Sequence, residues 1–157
     1  MKNRPRVTVA AIIEQDGRFL LVEEHTPDGL RLNNPAGHLE AGESPERGVI
    51  REALEETARS FHPEGLVGVY LSRTRGQTPQ GEHDVSYLRL AFFGSVGAAD
   101  PVLALDQGIV RTLWLTSDEL RASRERHRSP LVLRCMDDYL RGRRYPLDLI
   151  HTDPGVF

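Results

Sequence analysis

The chain has one cysteine, Cys135, in 157 residues, so an internal disulfide is excluded and a reducing compartment is expected. Long apolar runs are missing as well, which excludes a membrane-spanning helix. Neither sign of charge dominates. Lys plus Arg number 20 and Asp plus Glu 23, and a net charge of −3 speaks against generic nucleic-acid binding. There are no internal repeats or low-complexity linkers. Met1-Lys2-Asn3-Arg4-Pro5 leads directly into a strand pattern, so the cytoplasm is the expected location.

What is present suits one domain over 1–157, long enough to bury a core without staples. Residues 7–14 are rich in β-branched and apolar side chains, and Asp16-Gly17 predicts a hairpin turn into a strand over 18–24. Two longer strands are expected over 65–73 and 85–96, flanking a Gly/Pro-containing loop over 72–84. A short strand over 112–115 precedes a helix opened by Ser117-Asp118-Glu119. Ser44-Pro45 and Ser129-Pro130 each give a cap followed by proline. They predict helices over 44–57 and from 129 to about 141, the second closed by Gly142. Strands and helices in this order suit an α/β fold, a mixed sheet sandwiched between helices.

The densest signal runs from Gly37 to Glu56. Gly37, Glu43, Arg51, Glu52, Glu55 and Glu56 stand at fixed offsets, a pattern that chance gives roughly once in ten million starting points at about 7% usage per residue. On a helix, Glu52 lies three residues from Glu55 and four from Glu56, so three carboxylates share one face while Val49, Ile50, Ala53 and Leu54 supply the apolar side. Crowded carboxylates repel unless a cation lies between them. Hard divalent ions, Mg²⁺ first and Mn²⁺ second, are the expected occupants. Arg51 and Arg47 are expected to hold Glu43 and Glu55 by charge-assisted hydrogen bonds. Gly37, after Asn34-Pro35-Ala36, lets the backbone come close to a ligand.

The segment from Gly37 to Arg59 resembles the Nudix box: Gly, five residues, Glu, seven residues, Arg-Glu, an aliphatic, any residue, Glu-Glu, any residue, Gly, an aliphatic. Ala53 stands for the first aliphatic, Ala58 for the closing Gly and Arg59 for the final aliphatic. Ala58 therefore predicts either a helix that overruns by a turn or an alanine held at positive φ. The resemblance extends to Val7-Thr8-Val9-Ala10, Asn34 to Ala41, Arg128-Ser129-Pro130-Leu131-Val132 and Arg144-Tyr145-Pro146-Leu147, which are similar to a bacterial phosphatase subgroup of that family. It implies a Mg²⁺-dependent enzyme acting on phosphoanhydride bonds of small molecules: nucleoside tri- and diphosphates, and the pyrophosphate esters of thiamine and its pyrimidine precursor. Leu32 replaces a Trp common in the subgroup, and the 72–84 segment is longer than its counterpart. Both keep open another Nudix substrate, such as a dinucleoside polyphosphate, ADP-ribose or an RNA 5′ end, while a nucleotide-binding module without catalysis is the third reading.

On this reading Glu52 and Glu56 ligate the ion directly, Glu55 binds a further ion or a water, and the Gly37 carbonyl adds a neutral oxygen. Arg51 completes the catalytic group. Asp106, Glu82 and Asp84 are the loop candidates for the general base, with Glu52 or Glu55 as box alternatives. Arg89, in an apolar strand, is the first choice to grip phosphate, followed by Arg31 and Arg73, with His38 beside Gly37 as a further contact. Trp114, between Leu113 and Leu115, is read as core, and the basic run 121–128 as an exposed helix end. Monomer or homodimer is the expected range of assembly.

Overall fold

The computed structural model of the protein describes residues 4–157. The expectation for Met1-Lys2-Asn3 lies outside the described residues. Strand β1 (Arg6–Ile12) is followed by β2 (Glu14–Gln15) and β3 (Arg18–Thr26), joined by Asp16 at φ 52° and Gly17 at φ 76°. Two successive left-handed residues are what a tight hairpin of this hand requires. Next come β4 (Gly29–Asn33), β5 (Ala36–His38), α1 (Pro45–Thr57), β6 (Phe61–Thr78), β7 (Gly81–Val96), β8 (Ile109–Thr116), α2 (Ser117–Ala122) and α3 (Leu131–Leu140).

One sheet has the order β5-β1-β7-β6. Its centre is a parallel pair, β1 with β7, and its other pairings are antiparallel. In the second sheet, β2 and β4 share one edge of β3 and β8 lies along the other. Strand alternation sends Val9 and Ala11 toward Val49 and Ala53 of α1, while Ile12 joins Val132, Cys135 and Met136 of α3. Helices therefore cover both faces, as the sequence pattern predicts. Among the described residues no helix is long and apolar enough to cross a membrane.

The expected loop over 72–84 is not a loop. β6 and β7 pair from Phe61 opposite Val96 to Thr78 opposite Gly81, with register shifts at 63–65 and 66–68. β1 accompanies β7 only from Tyr87 to Phe93, so the hairpin continues beyond the sheet as a two-stranded arm. Arg73 forks onto Asp84 with two bonds of 2.7 Å, and Thr74 meets His83 at 3.1 Å. Such cross-strand pairs hold the arm where the scattered Gly and Pro residues suggested irregular chain.

Helix α1 begins as expected, Ser44 Oγ accepting the Arg47 N–H at 3.2 Å with Pro45 at the first position. It ends at Ala58 in the left-handed region, φ 58° and ψ 26°, whose N–H still donates to Leu54 O at 2.9 Å. Leu54, expected on the apolar side, is exposed, and the buried residues are Gly48, Val49, Ala53 and Thr57 together with Glu52 and Glu56. Ala58→Gly should remove up to about 1 kcal/mol of backbone strain, less what its buried methyl contributes. Thermal unfolding should show a modest rise in Tm; a lower Tm than the parent would refute the strain.

Candidate active site

β5 lies antiparallel to β1, and α1 packs over both. Two side-chain bonds stitch the helix to β5: Glu56 Oε1 accepts the Ala36 N–H at 2.8 Å and Arg51 Nη2 donates to His38 O at 3.0 Å; in the turn between them Glu43 Oε1 accepts the Glu40 N–H at 2.9 Å. Arg51 is the hub. Its fork grips Glu43 through Nε (2.9 Å) and Nη2 (2.7 Å), and its Nη1 donates to Glu52 at 2.8 Å and Glu55 at 3.2 Å. That guanidinium holds the Glu43 carboxyl below its ordinary range.

Gly37 has the Glu52 carboxylate directly against it. A Cβ at this position would overlap that carboxylate, so no other residue leaves Glu52 where it is. Burial pushes the Glu52 carboxyl up, against the pull of Arg51. Glu56, 7% exposed, is pushed up to about 8 by burial and by the charges of Glu24, Glu52 and Asp106, against the Ala36 hydrogen bond. No arginine or lysine pairs with Glu56 among the described residues.

Asp106 reaches this cluster because the 97–108 loop is tied to the end of α1. Its N–H donates to Glu55 O at 2.9 Å, and the Asp100 N–H donates to Ala58 O at 2.8 Å. Asp84 and Glu82 sit instead on the hairpin arm. Asp84 is taken up by Arg73, whose hydrogen bonds hold it below its ordinary range and make it a poor base. Arg73 is correspondingly committed to Asp84, and Glu82 stands opposite Gln77 on the same arm. The expectation for Arg47 is corrected: its guanidinium lies over the Phe157 ring at 4.7 Å, and among the described residues Arg51 alone grips Glu43.

Arg89 is buried, 6% exposed, rather than on a solvent-facing strand position. Its Nη1 donates to Asn34 Oδ1 at 2.9 Å and its Nη2 to Asn33 Oδ1 at 3.2 Å, while Cys135 Sγ lies 3.9 Å from Nη1. No carboxylate pairs with it among the described residues. Arg31 stands opposite Glu24 across β3 and β4, its Nη1 on Leu30 O at 3.1 Å. The exposed His38 ring tilts against Tyr87 at 6.2 Å. Trp114 packs on the core, as read from the sequence.

The basic run 121–128 is more than a helix end. Leu32 bridges His127, Arg126 and Arg111 clamp Glu23, and Arg128 Nη1 donates to Glu24 at 3.0 Å. Glu23, Glu24 and Asn33 were missed in the sequence. Two adjacent acids at the end of the apolar run Phe19-Leu20-Leu21-Val22 were the available signal.

Among the described residues no three acidic or imidazole groups form a closed ligand set, because Glu52 and Glu55 both turn onto Arg51. The donor chemistry nevertheless fits a hard cation: all-oxygen, part-buried, with Glu56 short of a counter-charge. Residues 2–135 match the model of the NUDIX domain. The chain belongs to the Nudix hydrolase family. Phosphatase NudJ from Shigella boydii and from Escherichia coli K12 are each 35% identical over 148 residues, 94% of this chain and 91% of theirs. A solved NUDIX hydrolase from Nitrosomonas europaea superposes with a TM-score of 0.86 at 48% identity, over 97% of this chain and 99% of that one.

Proposed function

We propose that the protein is a Mg²⁺-dependent hydrolase of phosphoanhydride bonds in nucleoside tri- and diphosphates, with thiamine pyrophosphate and its pyrimidine precursor as further substrates. The observation that carries this reading is the pairing of a buried carboxylate cluster on α1 with a buried arginine that has no acidic partner. One suits a hard cation and the other an anion, and a phosphoanhydride with its cation satisfies both. The resemblance to Phosphatase NudJ supports the substrate class.

Glu52, Glu56 and the Gly37 carbonyl would hold Mg²⁺, with Mn²⁺ as substitute. When bound, the ion offsets phosphate charge and acidifies the attacking water. Asp106 accepts the proton of that water as its oxygen bonds to phosphorus and the anhydride P–O bond breaks. Arg89, anchored by Asn33 and Asn34, grips phosphate oxygens, and Arg51 keeps Glu52 and Glu55 in place.

Phosphate and pyrophosphate release from nucleoside tri- and diphosphates, thiamine pyrophosphate, its pyrimidine precursor, ADP-ribose and dinucleoside polyphosphates, with Mg²⁺ and with EDTA, tests the reading. Metal-dependent release from the first four groups is expected. Activity confined to the last two would overturn the substrate class, and silence throughout would overturn catalysis.

A further inference from the structure

Arg128 joins two features that are otherwise separate. On one side its Nη1 donates to Glu24 Oε1 at 3.0 Å, and that same oxygen accepts from Asn33 Nδ2 at 3.3 Å. Asn33 in turn holds Arg89, so an unbroken polar chain runs from Arg128 through Glu24 and Asn33 to the buried guanidinium. On the other side Arg128 lines an open groove of about 350 Å³ together with Arg124, Pro130 and Leu133. Arg128 thus links the groove to the buried Arg89 guanidinium, and Arg124 lines the groove beside it.

The two ends of the Arg128–Glu24 pair are not equally committed. The Glu24 side chain is 15% exposed and keeps the Asn33 amide as a second donor, whereas the Arg128 side chain is 46% exposed and uses one nitrogen. A single-nitrogen pair at the surface contributes little, while the guanidinium fork on a phosphate makes two charge-assisted bonds. The main chain beneath it is fixed: the Arg128 N–H donates to Leu32 O at 2.8 Å and Leu32 bridges His127. The side chain alone has to turn, and no loop has to move.

We propose that Arg128 reads the substrate's outer anionic group, the phosphate next to the reacting one, by exchanging its bond to Glu24 for bonds to that phosphate. The exchange leaves Glu24 free to face Glu56, adding negative charge beside the cation site at the moment substrate arrives. Substrate and cation then assist each other's binding. This rests on the phosphoanhydride reading above.

Binding of inorganic pyrophosphate in EDTA, followed by NMR titration of the arginine side-chain signals, tests the exchange without turnover. R128Q should bind about tenfold or more weakly. E24Q should bind several-fold more tightly, because it removes both a competitor for the guanidinium and a repelling charge. The double variant R128Q/E24Q should regain only the part owed to the lost repulsion and stay well short of the parent, and R128K, which keeps the charge without the fork, should fall between R128Q and the parent. Recovery of parental binding by the double variant would mean that Arg128 only neutralises Glu24, and unchanged binding by R128Q would remove it from the site; either overturns the exchange alone. Absence of binding by the parent with Mg²⁺ as well as in EDTA would overturn the phosphoanhydride reading itself. Superimposable circular dichroism of the variants guards the comparison against misfolding.

Discussion

Glu56→Gln loses at least about a thousandfold in kcat at saturating Mg²⁺, while the protein gains stability at alkaline pH. Both parts follow from one environment. The amide oxygen still accepts the Ala36 N–H, so the tie between α1 and β5 survives, but the charge facing the cation is gone. In the metal-free parent, burial and neighbouring acids raise the Glu56 carboxyl from 4.5 to about 8, so the folded state binds more protons than the unfolded state between those values. Stability therefore rises as pH falls through 8, by about 2 kcal/mol down to pH 6.5. Below 6.5 His127 acts oppositely, because burial holds it under its ordinary value and folding then keeps it neutral at a cost. Thermal unfolding in EDTA at pH 6.5 and 8 should show the parent losing Tm with rising pH and the variant losing less. Mg²⁺ should flatten the parent's dependence and release a proton on binding near pH 7. Near-parental turnover by the variant, or a parental Tm that climbs with pH, would sink the assignment.

Arg51→Met is expected to cost about 2–4 kcal/mol and most of the activity. The substitution keeps much of the stem volume but strips the bidentate partner from Glu43 and the shared donor from Glu52 and Glu55, leaving three acids crowded on half-buried ground. It also frees the His38 carbonyl. Because the loss is one of positive charge, Mg²⁺ should narrow the gap in Tm between variant and parent, which an ordinary packing defect would not show. Arg51→Lys should recover charge but not the fork, and so regain only part of both stability and kcat.

The box was visible in the sequence because a helix turns spacing directly into a shared face: Glu52, Glu55 and Glu56 need no tertiary knowledge to be placed together. The cap at Ser44 and the turn at Asp16-Gly17 are equally local, and so is the fate of Ala58, whose side chain left only two outcomes. Glu24, Asn33 and Arg128 come from three separate segments, and nothing local says that β3, β4 and the 124–130 segment meet. The arm was misread for the opposite reason. Gly76, Pro79 and Gly81 look like loop signals, but the Arg73–Asp84 fork acts across the strands and is invisible to a reading along the chain. Arg47 was expected to share with Arg51 the hold on Glu43 and Glu55, and a reading along the helix could not foresee Phe157 arriving from the other end of the chain.

The parallel pairing of β1 with β7 places Thr8 beside Arg89 and Val9 beside Leu90, so the centre of the sheet joins segments some eighty residues apart. Closing so long a loop is slow and yields little until the intervening elements are in place. β5 carries Gly37 on one side of β1, and β7 carries Arg89 on the other, so the proposed cation side and anion side of the site meet only through that closure. On the ribosome, a nascent chain that has emerged only through α1 already has its acidic helix sequence but no β7 to complete the sheet. Catalytic competence should therefore appear late in synthesis and together with global folding, rather than growing element by element.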